Sequence, residues 1–302
     1  VTQEMLELAV RVCLAVGGST NMTLHFPAIA HEAGLKMTLE DIDLLSAQTP
    51  YLAKIKPSGS HTMLDLEQAG GVGAVMRELD GIIKLDLMTV NGKTHRQNLE
   101  LAVQRNPEVI RPIANAYSNH GSLVALKGNL APDGAVVKQS AVAPQMRRHS
   151  GPAHCFECEE AAVEGIYSGK VKDGEVIIIR NEGPQSGPGM REMLTATAAL
   201  VGMGFAETVA LVTDGRFSGA TRGPCIGHVS PETSRRGPIA ALRDGDIIDI
   251  DIDAGTLNVR LTGEEIAQRL EKLPPYSPKV KEGYLARYAR MVTPAAQGAI
   301  LE

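Results

Sequence analysis

From Met5 the apolar residues Leu8, Ala9, Val12, Cys13 and Val16 recur at steps of three and four, the stripe of an amphipathic or buried helix. This run meets Gly17-Gly18-Ser19-Thr20-Asn21, and a second helical pattern then spans about 22–33 before Gly34. Thr38 with Asp41 three positions on predicts a capping-box start for a third helix. Further helical patterns lie near 65–80 and 94–104. Beyond Asn106-Pro107 the apolar runs shorten and read as strands at 123–126, 135–137, 176–179, 209–212, 247–252 and 257–261, punctuated by Asp-Gly turns at 133, 173 and 244. Helices are predicted near 159–168 and after the Thr262 and Glu265 cap. The pattern is that of an α+β protein with a mostly helical part over 1–110, a β-rich barrel-like domain over 121–275 and a tail over 276–302. The strand spacing predicts a compact barrel with helical insertions rather than a repeating βαβ unit.

Composition narrows the function class. A chain of 302 residues with 43% hydrophobic content has the makings of about two globular domains. The net charge of -5 is dispersed without a basic stripe, and only 3% of residues are aromatic, so nucleic acid is not an expected partner. No run approaches the roughly 18 to 20 apolar residues of a membrane span, and Val1 begins inside a helical pattern rather than a signal peptide. The four cysteines, at 13, 155, 158 and 225, form no secreted disulfide framework, and a cytoplasmic protein is expected. Cys155 and Cys158 lack the second pair that a four-thiolate site needs and read as free thiols. The histidines show no metal-binding spacing and read as solvated or capping residues.

Three segments carry candidate chemistry. In the first, a buried strand runs into Thr213-Asp214-Gly215-Arg216-Phe217-Ser218-Gly219-Ala220-Thr221, rich in glycine, hydroxyl and charged groups. It reads either as a tight turn with Asp214 and Arg216 paired, or as a loop displaying a reactive Ser218 activated by a metal or a cation. The second, Gly187-Pro188-Gly189-Met190-Arg191-Glu192-Met193, offers Glu192 either as a hard-metal ligand or as a carboxylate favourable in a first helical turn. The third is Gly17 to Asn21. Close helix packing accounts for its glycines, but Ser19, Thr20 and Asn21 must either line a polar pocket or satisfy buried backbone.

Taken in order, the stretches GGSTN (17–21), KPSG (56–59), LKGNLAPDGAVVK (126–138), GPGMREM (187–193), TDGRFSGATRG (213–223) and GHVSPE (227–232) resemble the family of dihydroxy-acid and sugar-acid dehydratases. The Met-Arg-Glu-Met and Ser-Gly-Ala-Thr runs resemble its branched-chain dihydroxy-acid branch. The resemblance implies loss of water from a small-molecule substrate of the 2,3-dihydroxy-isovalerate type, giving a 2-keto acid in branched-chain amino-acid biosynthesis. It implies Ser218 as the base, Glu192 as a Mg ligand, and Ser19, Thr20, Asn21, Arg216 and Thr221 as substrate-binding residues. It further implies an iron-sulfur cluster, a homodimer, and the remaining ligands in a part of the family that lies upstream of this chain. Residues 1–110 would then be the carboxy-terminal part of an α/β cofactor-binding domain. The alternatives are a sugar-acid dehydratase acting on 6-phosphogluconate or an aldonate, and a non-catalytic binding module that keeps the barrel. Two structural expectations follow: Glu192 and Ser218 each end a barrel strand and share one cavity, and the helix from Met5 to Val16 exposes an apolar stripe that drives self-association of an inactive chain.

Overall fold

A computed structural model describes every residue from Val1 to Glu302. Six helices come first: α1 (Gln3–Ala15), α2 (Met22–Glu32), α3 (Leu39–Ala47), α4 (Met63–Gln68), α5 (Gly71–Glu78) and the single turn α6 (His95–Asn98). Thr38 and Asp41 form the capping box of α3, each side chain meeting the other's backbone amide. The expected helical run at 65–80 is broken at Gly70, whose φ of 120° lies outside any helix, and α5 starts afresh at Gly71, itself at φ 66°. The run expected at 94–104 stops after one turn. There Arg77 Nη1 donates to the carbonyls of Leu99, Glu100 and Ala102, satisfying groups that a continuing helix would have bonded internally.

The first helix does not expose an apolar stripe. Leu6, Val10 and Leu14 pack with residues of α2 and α3, while Leu8 and Ala15 enter a separate core with residues of α4 and α5. Both faces of α1 are thus covered within this chain, which removes the expected reason for self-association.

The remaining elements are the strands β1 (Val124–Leu126), β2 (Gly134–Val137), β3 (Arg148–Phe156), β4 (Val176–Ile179), β5 (Glu192–Met193), β6 (Ala210–Thr213), β7 (Arg216–Phe217), β8 (Cys225–Ser230), β9 (Ile247–Asp251) and β10 (Thr256–Val259). Between and after them lie α7 (Glu159–Tyr167), α8 (Thr195–Gly202), α9 (Gly263–Glu271) and α10 (Gly283–Met291). Eight strands form one sheet in the order β1-β2-β8-β6-β4-β3-β9-β10. Its outer strands come together where the Lys127 amide donates to Gly255 O (2.9 Å) and Leu257 N donates to Lys127 O (3.0 Å). The nearly closed sheet bears out the α+β, barrel-like expectation.

Residue alternation explains how the barrel fills. Along β4, Val176 and Ile178 join the inner core with Val212, Ile226, Ile248 and Leu257, while Ile177 and Ile179 meet the helix-covered core of Ala162, Ile166, Ala196 and Leu200. A strand buried on both faces reads as an unbroken apolar run, as Val-Ile-Ile-Ile does. Each such side chain contributes roughly 1.5–3 kcal/mol on burial.

The sheet corrects one expectation. β3, β4, β6 and β8 are parallel neighbours, and β3-α7-β4 followed by α8 and β6 makes two successive parallel crossovers, so βαβ units are present inside the barrel. The longest strand, β3, was not anticipated. It pairs antiparallel with β9 over Arg148–Pro152 and parallel with β4 over Ala153–Phe156, so Gly151 and Pro152 lie where it changes partner. No helix is long and apolar enough to cross a membrane.

Candidate active site

Two buried carboxylates hold the loops that leave the barrel at the carboxyl ends of β4, β6 and β8. Asp214, directly after β6, accepts the amides of Glu182 (3.0 Å), Asn181 (3.3 Å) and Thr233 (2.9 Å). Burial nonetheless pushes its pKa up to about 6, because desolvation outweighs the amide donors that favour the ion. Glu232, after β8, accepts from the amides of Gln185 (3.0 Å) and Ser186 (2.9 Å) and from Ser186 Oγ (2.7 Å). Gly183 leaves room for this grip: a Cβ there would stand 2.5 Å from the Glu232 carboxylate.

Between these anchors the chain forms a separate two-strand parallel ribbon. In it β5 pairs with β7, Glu192 opposite Arg216 and Met193 opposite Phe217. Ser218 continues the ladder, its amide donating to Met193 O at 2.9 Å. Its Oγ, half-buried, accepts the Ala220 amide at 3.4 Å, and the Thr221 amide closes the turn onto Ser218 O at 3.1 Å. Glu192 and Ser218 therefore do not end barrel strands, as the apolar runs had suggested. Nor does Glu192 sit in a first helical turn, since α8 begins three residues later at Thr195.

The polar segment before α2 meets this ribbon. Arg216 Nη1 donates to Asn21 Oδ1 at 3.2 Å, and Asn21 Nδ2 donates to Glu192 Oε1. The orientation of the carboxamide is settled by chemistry, because a guanidinium only donates and a carboxylate only accepts. Arg216 Nε donates to the carbonyl of Met190, a buried residue held at φ 48°. Ser19 stands against Gly219, where an added Cβ would lie 3.0 Å from the Ser19 Cβ and Oγ. Ser19, Asn21, Glu192, Arg216 and Ser218 are thus brought together although 199 positions separate the first from the last. Thr20 offers its carbonyl to Thr23 instead, and Thr221 is buried in the turn after Ser218.

Two sequence readings are corrected here. Asp214 and Arg216 do not pair, for the carboxylate turns to backbone amides and the guanidinium to Asn21 and Met190. His228 is neither solvated nor a cap. It is buried in β8 with φ 59°, and burial, followed by the nearby Arg216 and His25, pushes its pKa down to about 3. Thr23 Oγ1 donates to Thr20 O (2.9 Å) and therefore accepts from His228 Nδ1 (3.1 Å), which fixes the neutral ring with its proton on Nδ1.

The anchoring roles of Asp214 and Glu232 and the burial of His228 were not legible in the sequence. The signal available was glycine: Gly183, Gly215 and Gly227 would each place a Cβ within 3.2 Å of Glu232, Glu182 or Gly215.

Residues 1–98 match the family model described as dihydroxy-acid/6-phosphogluconate dehydratase N-terminal, and residues 108–299 match its C-terminal counterpart. Proteins named dihydroxy-acid dehydratase are 57% identical in Caldicellulosiruptor bescii, 55% in Acetivibrio thermocellus and 52% in Methanosarcina barkeri, each over 100% of this chain and 55% of the relative. The chain spans about half the length of the curated relatives it matches. With both family models matched in order along its length, the chain belongs to the dihydroxy-acid/6-phosphogluconate dehydratase family.

Proposed function

We propose that this chain supplies the proton-abstracting side of a site that dehydrates a 2,3-dihydroxy acid, of the 2,3-dihydroxy-isovalerate type, to a 2-keto acid. The observation that carries the reading is the ribbon that sets Ser218 two residues beyond the Glu192–Arg216 pair. The name shared by the relatives supports the substrate class.

The reaction removes the C2 proton and the C3 hydroxide, leaving an enol that takes up a proton to become the ketone. A C2–H beside a carboxylate is weakly acidic and hydroxide leaves poorly, so a base and a Lewis acid are both required. Ser218 Oγ is the base, and the Ala220 amide that donates to it favours its deprotonated form. Arg216, its charge held beside Asn21, orients the substrate carboxylate.

The exposed carboxylate of Glu192 is a hard oxygen donor and fits Mg as one ligand of several. Mg, when bound, would supply Lewis-acid polarisation of the substrate oxygens. An iron-sulfur cluster does not fit this chain's own donors, because no three His, Cys, Asp or Glu side chains converge as a ligand set. No step is assigned through it. The same reading places the protein in branched-chain amino-acid biosynthesis as a cytoplasmic homodimer.

The test is a chimera in which this chain replaces the matching segment of the Caldicellulosiruptor bescii relative. It should turn over 2,3-dihydroxy-isovalerate in preference to 6-phosphogluconate, and Ser218→Ala should lower turnover about 10²–10⁴-fold with Mg and iron content unchanged. Near-normal turnover in that variant would remove Ser218 from the mechanism. Preference for 6-phosphogluconate would move the substrate to the sugar-acid class.

A further inference from the structure

The guanidinium of Arg216 is held from two sides. Its Nη1 donates to Asn21, directly before α2, and its Nε donates to the carbonyl of Met190 in the loop that precedes β5. Met190 sits at φ 48°, in the left-handed region that a residue with a side chain keeps only where its surroundings hold it. Its own amide donates to Gly187 O at 2.7 Å, and its side chain is buried.

That side chain enters neither core of the barrel. It packs in a small separate cluster with Leu24 of α2 and Ala295 near the end of the chain, and Ala299 covers the edge. Leu24 lies one turn along from Asn21, its amide donating to Asn21 O at 3.1 Å. The turn Ala295–Gln297 therefore lies against both elements that hold Arg216. The approach is close. Gly298, at φ 88°, passes so near α2 that a Cβ would stand 2.9 Å from Pro27 Cβ and 3.1 Å from the Ala28 amide nitrogen.

The tail is itself fixed on either side of this turn. Before it, Ala289 O accepts from Gln185 Nε2 (3.2 Å) and Val292 O accepts from Arg235 Nη2 (2.7 Å). After it the chain folds back, Thr293 N donating to Ile300 O at 2.8 Å and Glu302 N to Met291 O at 3.0 Å. Burial raises the pKa of Tyr288 in α10, Arg216 opposes that rise and Glu232 adds to it, so the last helix runs within electrostatic reach of the guanidinium.

We infer that Ala295 and Gly298 are positioning residues for Arg216: the tail turn sets the spacing between α2 and Met190, and with it the direction in which the guanidinium points. Loss of this contact frees Met190 from its left-handed conformation and takes the Nε acceptor away. The positioning stands on packing geometry alone. Its use, the orientation of a substrate carboxylate, rests on the proposed function.

The test reads Arg216 directly. In nitrogen-edited NMR of the 302-residue chain, the Arg216 Nε–H signal, assigned by its loss in Arg216→Lys, should exchange slowly with water because it is bonded to Met190 O. Gly298→Ala forces the turn off Pro27, and it should shift that signal and speed its exchange about tenfold. Ala295→Gly, which removes a single methyl group, should move the signal by less, and it decides the matter if Gly298→Ala does not fold. Gly245→Ala is the control. Its φ of 86° strains the chain likewise, but nothing lies within 4 Å of the added Cβ, so the melting temperature should fall while the Arg216 signal stays in place. In the chimera, Gly298→Ala should raise KM for 2,3-dihydroxy-isovalerate about tenfold with kcat nearly unchanged, and Gly245→Ala should change neither. An Arg216 signal unmoved in every folded tail variant, or moved equally by Gly245→Ala, would overturn the inference. A moved signal with unaltered KM upholds the positioning and removes instead the carboxylate role of Arg216.

Discussion

Glu192 and Arg216 stand opposite one another in a parallel ribbon only two residues long on each strand, and one side chain, Asn21, touches both. The carboxamide meets the carboxylate with its N–H donor and the guanidinium with its oxygen acceptor at once. This arrangement fixes α2 against the ribbon. It also keeps an exposed carboxylate and a half-buried guanidinium in register near Ser218.

Asn21→Asp should expose that dependence. It preserves the acceptor for Arg216 but sets a second negative charge against Glu192, whereas Asn21→Ala removes both bonds. Activity of the chimera should fall in both, and the Asp variant should recover in part when combined with Glu192→Gln. Equal loss with and without the second substitution would mean that the Asn21–Glu192 contact is incidental.

Ser19 and Gly219 offer a test by rescue. A Cβ at 219 would lie 3.0 Å from the Ser19 side chain, so Gly219→Ala should lower the melting temperature, and Ser19→Gly in the same chain should restore part of the loss. Strictly additive melting shifts would show that the two segments do not press on one another.

His228 should stay neutral through the ordinary pH range. With its pKa pushed down to about 3, well below the usual histidine value near 6.5, nitrogen-detected ring NMR should show the Nδ1-protonated tautomer unchanged between about pH 8 and pH 5. The sign for stability follows. The unfolded chain takes up the proton first, so the contribution of the buried neutral ring is present above about pH 6.5 and is lost as pH falls toward 3. A ring that titrates near its ordinary value would contradict the burial.

Asp214 gives the opposite slope. Its folded pKa of about 6 lies above the ordinary value of 3.8, so the native state binds the proton more tightly and stability from this group is lost as pH rises between those two values. Asp214→Asn removes the titration and places an amide donor against backbone amides, costing about 1–3 kcal/mol. Denaturation at several pH values should show the gap between parent and variant narrowing as pH rises from 4 to 7. A gap that widens over this range would reverse the assignment.

Gly128→Ala tests the closure of the barrel. A Cβ there would fall 2.1 Å from the carbonyl of Leu257, on the strand that meets residue 127. The variant should be destabilised by about 1–3 kcal/mol. A melting temperature within the error of the parent would show that the junction opens without cost.

The sequence by itself determined the elements whose signals are local. The Thr38–Asp41 and Thr262–Glu265 boxes start helices because both partners sit within one turn, and the apolar run from Val176 to Ile179 reads as a buried strand whatever surrounds it. Family-like stretches also marked Gly17–Asn21, Glu192 and Ser218 as places where chemistry gathers. Tertiary structure alone decided the rest. β3 exists because its two halves find different partners, which no local pattern containing Gly151 and Pro152 announces. α1 hides both apolar faces because two separate cores form on either side of it. Asp214 turned from Arg216 to three backbone amides because burial leaves those amides no water to bond, and a partner's distance along the chain says nothing of its distance in space.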